Sequence, residues 1–306
     1  MNNSDIIWFK GKIIPNKDAL VNVMSPTSQF GLNVFEGIRG YWNKKHQKLY
    51  IFRLDDHIDR LFESCKLMSL NCPYTKDEIK SFINDLLVVG AFEEDIAIRL
   101  TLFVEGEGSW SSLQSPEMFI SPIIKMRKDV SKLKGSSACI SSWQRINDNS
   151  MPPRIKTGAN YIAGSYAHLE ANRANYDLPL FLNSGGKLAE GAGACIFIVR
   201  DNTLITPTLQ SSVLDSITRD TLIRLAQDDG IDVIVRDVDR TELQISDEVF
   251  ICGSAAEITP ITSINSVLVG DGNPGVMTIR LLKKYHDILN NENNEKLPKN
   301  WVEAIA

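Results

Sequence analysis

The first chemistry legible in this chain belongs to a lysine set among small residues. Pro153-Arg154-Ile155-Lys156-Thr157-Gly158-Ala159-Asn160-Tyr161 follows the loop-like Asn147-Asp148-Asn149-Ser150-Met151-Pro152 and leads into a helical run. Gly158 and Ala159 let backbone and ligand approach closely, and a lysine withdrawn from water is a nucleophile toward a carbonyl carbon. Those are the needs of a Schiff-base lysine. Taken alone, the same residues also fit a solvated surface charge.

Two further residues invite chemistry. Glu190 stands at the end of a strand, just before Gly191-Ala192-Gly193-Ala194. An acid in such small, apolar company is either exposed at an edge or held buried against a cation. The G-x-G here is no dinucleotide fingerprint, because neither a third glycine nor a βαβ unit follows. Arg60 lies on a helix four residues after Asp56, a spacing that by itself predicts a solvated ion pair.

The elements that must position these residues follow from periodicity. Residues 6–10 and 12–14 form a hairpin turning at Gly11, and Val21–Met24 reads as a short strand. Leu54, Ile58, Leu61, Phe62, Cys65 and Met68 recur at helical spacing within Arg53–Leu70. Thr75 and Glu78 make a capping box for a second helix that Gly90 ends. Ile96–Val104 and Met118–Met126 are strands flanking a polar Gly- and Ser-rich loop, Glu105–Ser115. Arg127–Ser136 reads as a linker. Beyond it come the strand Ala138–Ser142, a helix over Asn160–Ala174, and a four-strand meander of Leu180–Asn183, Lys187–Glu190, Ala194–Val199 and Thr203–Thr206. A helix over Ser211–Gly230 starts near Asp215 or Ser216. Strands Ile231–Val238 and Glu248–Gly253 and a closing helix over Pro274–Asn290 complete the chain.

The totals bound the function. At 306 residues, two domains are the natural division. A net charge of -5, with no basic cluster, argues against a nucleic-acid or anionic-membrane surface. No basic-then-apolar leader opens the sequence and no run reaches the length of a membrane span. Cys65, Cys72, Cys139, Cys195 and Cys252 are scattered, and the four His show no metal-ligand spacing. The expectation is a reduced, cytoplasmic, metal-free enzyme.

Arg60, Lys156, Glu190, the Ile217-Thr218 turn and Ser254-Ala255-Ala256-Glu257 together resemble a fold-type IV, pyridoxal 5'-phosphate (PLP)-dependent aminotransferase, above all the branched-chain amino acid aminotransferases. The resemblance runs from Trp8 to about His286, and Val34-Phe35-Glu36-Gly37-Ile38-Arg39 is similar to that family's V-F-E-G-I-R motif. It implies a two-domain α+β fold, like that of D-amino acid aminotransferase, with PLP between the domains. The implied division is a small N-terminal α/β domain over 1–126, a linker over 127–136, and a large C-terminal domain over 137–306 that carries the PLP lysine.

The same resemblance implies the roles. Lys156 forms the Schiff base and moves the Cα proton. Glu190 pairs with the pyridine nitrogen, Tyr161 with the phenolic oxygen. Arg60 binds the phosphate with the backbone N–H groups of Ile217 and Thr218 at a helix start, and Ser254 contacts both phosphate and substrate. Phe30, Phe35, Gly37, Arg39 and Arg99 line the substrate pocket, and the Ser254-Ala255 backbone receives the substrate carboxylate. A homodimer is implied, with Phe30 and Arg99 coming from the partner chain. The implied reaction transfers an amino group from a branched-chain or related hydrophobic L-amino acid to a 2-oxo acid such as 2-oxoglutarate.

This chain departs from the branched-chain pattern at four places. Phe30 and Ala97 stand where Tyr is common, the Lys125-Met126-Arg127 region replaces an aromatic, and Asp215-Ser216-Ile217-Thr218 replaces P-G-I-T. The first two suit a bulkier or unusual amino acid. Alternatives on the same fold are a D-amino acid or (R)-amine transaminase and an aminodeoxychorismate lyase. Arg39 in its motif and the Gly253–Pro260 stretch favour the L-aminotransferase. A PLP-binding protein without turnover is disfavoured by the intact Lys156, Glu190 and Arg60 set.

Overall fold

The computed structural model describes residues 5–111, 116–289 and 298–305. The end of the expected Glu105–Ser115 loop and the expected helix end at Asn290 lie outside them. The chain divides into two compact units. One comprises Met1–Arg127, Ile155–Ala159 and Ile288–Ala306, the other Lys128–Arg154 and Asn160–Asp287. This differs from the division expected at 126 and 137. The segment holding Lys156 belongs with the first unit because its backbone bonds there: Lys156 O accepts Phe35 N–H at 2.9 Å, and Gly158 N–H donates to Asn33 Oδ1 at 3.0 Å.

The first unit is built on an antiparallel sheet. Its strands are β1 (Ile6–Phe9), β2 (Lys12–Pro15), β3 (Asn33–Asn43), β4 (Lys48–Phe52), β5 (Ile96–Phe103) and β6 (Glu117–Ile124). With Val302–Ala304 at one edge, the order runs Val302–Ala304, β4, β3, β5, β6, β1, β2. The β1–β2 hairpin turns on Lys10 and Gly11, both at positive φ, as a two-residue turn matching strand twist requires. The expected strand at Val21–Met24 is instead a turn: Asn22 Oδ1 accepts Met24 N–H at 2.8 Å, a local bond that competes with strand pairing. It leads into the short helix α1 (Pro26–Phe30).

Helices α2 (Leu54–Leu67) and α3 (Lys76–Gly90) carry the first unit's apolar stripes. Ile58, Leu61, Ile79, Ile83 and Leu86 pack with Val34, Ile38, Ile98 and Leu100 in one core. The Thr75–Glu78 capping box is present as expected. Gly90 has a different reason from the one its position suggests. It is the last helical residue, the left-handed cap is Ala91, and a Cβ on Gly90 would lie 2.2 Å from the Phe92 ring. Close packing, not backbone freedom, demands it.

The second unit holds a mixed nine-stranded sheet: β7 (Ser136–Gln144), β8 (Leu178–Leu182), β9 (Leu188–Gly191), β10 (Cys195–Arg200), β11 (Thr203–Thr206), β12 (Val233–Val235), β13 (Glu248–Gly253), β14 (Glu257–Ile264) and β15 (Val267–Leu268). The order is β12-β11-β10-β13-β14-β7-β8-β9, with β15 on β14. The expected four-strand meander is therefore two separate hairpins, β8–β9 and β10–β11, with β13, β14 and β7 between them. Helices α4 (Ile162–Arg173), α5 (Ile217–Asp228) and α6 (Val276–Leu289) complete the set. In α4, Gly164 meets the Ala192 carbonyl so closely that a Cβ would sit 2.8 Å from it. Among the described residues no helix is long and apolar enough to cross a membrane.

The start of α6 is tied down by Glu248 of β13. Its carboxylate accepts Met277 N–H at 2.8 Å, Thr278 N–H at 2.8 Å and the Thr278 hydroxyl at 2.7 Å, filling donors that a helix start leaves open. Glu248→Ala is expected to destabilise the protein by about 2 kcal/mol. A urea unfolding midpoint equal to that of the unchanged protein would contradict this.

Candidate active site

The alternation of β3 sorts its residues onto two faces. Val34, Glu36 and Ile38 face the core, and α2 packs over them. A carboxylate in that row has no access to water, with Glu36 at 0% exposure. Partners arrive from α2 at i, i+3 spacing. Arg60 Nε donates to Glu36 Oε1 at 2.8 Å and Nη2 to Oε2 at 2.7 Å, while His57 Nδ1 lies 2.7 Å from Oε2. The geometry is a fork-on-fork ion pair with a third bond. Asp56, the partner that helical spacing suggested for Arg60, is instead held by Arg53 at 2.8 and 2.9 Å.

The electrostatics follow from that arrangement. Burial pushes the Glu36 carboxyl up, but the Arg60 charge and the bonds from Arg60 and His57 outweigh it and hold the group well below the usual carboxylate range. For His57, burial wins over the bond and charge of Glu36, and the charges of Arg60 and Lys156 act the same way, so it lies below its ordinary 6.5. The pair thus holds an ionised Glu36 and a neutral His57 around a guanidinium whose orientation is fixed.

Lys156 is anchored against the same two elements. Its N–H donates to Ser64 Oγ of α2 at 3.2 Å, and its carbonyl accepts from Phe35 of β3. The backbone is thereby fixed on both sides of a half-buried side chain. Its Nζ lies 4.9 Å from the centre of the Phe35 ring, and the Arg99 guanidinium lies 4.2 Å from the same centre. Phe35 and Gly37 share the β3 face opposite Glu36, and Arg99 is paired across the sheet with Gly37. Arg99 thus shares the Phe35 ring with Lys156 of its own chain. Arg39 is 2% exposed and donates to Lys125 O at 2.8 Å. Phe30 is 44% exposed and stands edge-to-face with Trp110, ring centres 5.9 Å apart.

In the second unit, Glu190 resolves the choice the sequence left open: it is buried against a cation. Arg145, just beyond β7, places Nε and Nη2 each 2.7 Å from Glu190 Oε1. Leu214 N–H donates to Oε2 at 3.3 Å, and the Cys195 thiol lies 3.6 Å from it. Leu214 precedes the start of α5, where Ser216 Oγ caps the helix by accepting Arg219 N–H. Arg219 fixes that start by donating to Thr206 Oγ1 at 3.0 Å and Pro207 O at 2.8 Å. Tyr161 packs against Gly193, whose carbonyl in turn neighbours Gly253. Ser254 and Ala255 follow in the turn between β13 and β14.

Glu36, His57, Ser64 and Arg145 were not singled out from the sequence. Glu36 had a signal, a charge at a core position in the period-two row between Val34 and Ile38. His57 had one too, three residues before Arg60 on the buried stripe. Arg145 had none, since its partner lies 45 residues away.

Protonation links this cluster to folding. The unfolded chain binds a proton on His57 more readily than the folded one, so its stabilising contribution is complete above about 6.5 and is lost as pH falls below it. Glu36 behaves likewise at lower pH: its contribution is present above the unfolded carboxylate value and lost as pH falls toward the folded one. Lowering pH from about 7.5 to about 5.5 is expected to lower Tm, and His57→Asn to lessen that fall by removing the histidine part. An unchanged slope in the variant would contradict the assignment.

Comparison with known proteins places this geometry in a family. The model of the amino-transferase class IV family matches residues 33–264. A probable branched-chain-amino-acid aminotransferase of Aquifex aeolicus is 34% identical over 92% of this chain and 91% of its own length. The branched-chain-amino-acid aminotransferase of Escherichia coli K12 is 33% identical over 99% of this chain and 98% of its own. The PLP-form structure of the branched-chain aminotransferase of Thermobaculum terrenum superposes with a TM-score of 0.94 at 39% identity, covering 100% of both chains. With its lysine, buried acids and arginines so arranged, the chain belongs to the class IV aminotransferases.

Proposed function

We propose that this aminotransferase moves the amino group of a branched-chain or related hydrophobic L-amino acid to a 2-oxo acid such as 2-oxoglutarate, with PLP as cofactor. The observation that carries the reading is the anchoring of Lys156 by α2 and β3, the elements that also fix Arg60. The donor set suits PLP: an amine for its aldehyde carbon, a guanidinium and a helix start for its phosphate, and a buried carboxylate for its pyridinium nitrogen. PLP, when bound, supplies an electron sink that makes the substrate Cα–H acidic.

The residues divide the work accordingly. Lys156 Nζ would hold the cofactor's C4′ and move the Cα proton, from a backbone fixed by Ser64 and Phe35. Arg60, oriented by Glu36 and His57, would bind the phosphate, a group that the α5 start at Ile217 and Thr218 and Ser254 would also suit. Glu190, held by Arg145, would pair with the ring nitrogen, and Tyr161 would hydrogen-bond the phenolic oxygen. Phe35, Gly37 and Arg99 form the substrate face of β3 and β5, Arg39 supports it from within, and the Ser254-Ala255 backbone receives the substrate carboxylate.

The branched-chain relatives support the substrate class, while Phe30 and Ala97 favour acceptance of bulkier side chains, since each removes a hydroxyl and Ala97 frees volume. A homodimer and a cytoplasmic location belong to the same proposal. The dimer is supported by apolar side chains left exposed on the first unit, among them Leu20, Val23, Phe30 and Trp110.

The test is turnover with L-leucine, L-valine, L-phenylalanine and D-alanine, with 2-oxoglutarate as acceptor. L-amino acids are expected to react and D-alanine not to, and Lys156→Ala should lower kcat by at least about 10³-fold. Turnover retained in that variant, or a preference for D-alanine, would overturn the proposal.

A further inference from the structure

The turn that carries Ser254 and Ala255 ends on a residue that its backbone disfavours. β13 and β14 form a hairpin whose last pair is Gly253 with Glu257, leaving Ser254-Ala255-Ala256 as the connection. Such connections close through a residue in the left-handed region, where glycine or asparagine is at ease. Here that residue is Glu257, at φ 48° and 1% exposure. A long side chain is disfavoured at this dihedral relative to the right-handed region, and a buried carboxylate is disfavoured further unless it is partnered.

The partners come from remote parts of the second unit. Glu257 Oε2 accepts the Lys128 backbone N–H at 2.8 Å, and His286 Nε2 of α6 lies 3.4 Å from the same oxygen. Thr259 Oγ1 donates to Ala256 O at 2.9 Å, tightening the turn from its other side. Lys128 precedes Glu257 by 129 residues, so one carboxylate ties the turn to the segment that opens this unit and to its last helix. Glycine would serve the turn's own backbone better. The glutamate is explained by what its carboxylate reaches.

We propose that Glu257 is the positioning residue of the substrate-carboxylate turn, its side chain holding the backbone of Ser254 and Ala255 in register through Lys128 and His286. The proposal rests on the reading of that turn as the carboxylate site. The amino acid and the 2-oxo acid share a carboxylate, so loosening the turn weakens both substrates. PLP touches this turn only through Ser254 and keeps Lys156, Arg60, Glu190 and the α5 start, so its affinity changes less than that of either substrate.

Three variants separate the side chain from the turn geometry. Glu257→Gly and Glu257→Asn both suit the left-handed backbone but withdraw the anchor, whereas Glu257→Gln keeps an acceptor oxygen at the same reach. The two anchor-less variants are expected to raise KM for both the L-amino acid and the 2-oxo acid by about tenfold or more, with the PLP dissociation constant changed by less than about threefold. Glu257→Gln should return KM toward the unchanged value. A Glu257→Gly or Glu257→Asn enzyme with ordinary KM would overturn the proposal, as would a Glu257→Gln enzyme as impaired as either. The comparison of Asn with Gln stands even where the Gly variant folds poorly. An unchanged protein that transaminates no L-amino acid would be a different result, the failure of the functional reading itself.

Discussion

The Glu36 carboxylate, inserted into the core row of β3, spends both its oxygens on Arg60 and takes a third bond from His57. Removing one member of a buried cluster of this kind typically costs about 3–5 kcal/mol, because the remaining charge is left without water or partner. The cluster therefore commits α2 to one position on β3. From that commitment follow the aim of the Arg60 guanidinium, the place of Ser64, and through Ser64 the backbone of Lys156. The functional lysine lies on an irregular segment, and it gains its fixity from a helix and a strand that are themselves locked together.

The second unit uses the same device with the signs exchanged. In the first, a buried acid fixes a cation suited to an anionic phosphate. In the second, a buried cation, Arg145, fixes an acid suited to a pyridinium. On the proposed reading, each charge meant for the cofactor is preorganised by a protein charge of opposite sign. Neither side chain must be gathered from solvent when PLP arrives, which lowers the ordering cost of binding. On the proposed reading of its turn, the strained Glu257 extends the pattern to the substrate: a buried carboxylate again holds backbone in place.

What the sequence made legible was local. The Thr75–Glu78 box, the Lys10-Gly11 turn, the Ser216 cap and the strands Thr203–Thr206 and Glu248–Gly253 are each written in a few adjacent residues, and the structure has them. Lys156, Arg60 and Glu190 could be named because a family pattern spans most of the chain. Hidden from the sequence was everything decided by pairing at a distance. The meander failed because β9 and β10 follow one another in sequence yet lie far apart in the sheet order. Lys156 lies with the first unit because its segment bonds there, Lys156 to Phe35 and Ser64 and Gly158 to Asn33, despite its place in the chain. Arg145 is an ordinary arginine until β7 and β9 bring it to Glu190. Val21–Met24 looked like a strand because apolar content mimics one, while the Asn22 side chain decides for a turn.

On the proposed reading, Arg60 is a phosphate arm whose aim Glu36 sets. The direct measurement is the affinity of the apoprotein for PLP and for pyridoxal, which lacks the phosphate, followed by the visible absorption of the bound form. Arg60→Lys keeps the charge but loses the fork that Glu36 orients. The preference for PLP over pyridoxal is predicted to fall by about tenfold or more in that variant, with pyridoxal binding little changed. An undiminished preference would contradict that role, because the phosphate would then be held without Arg60.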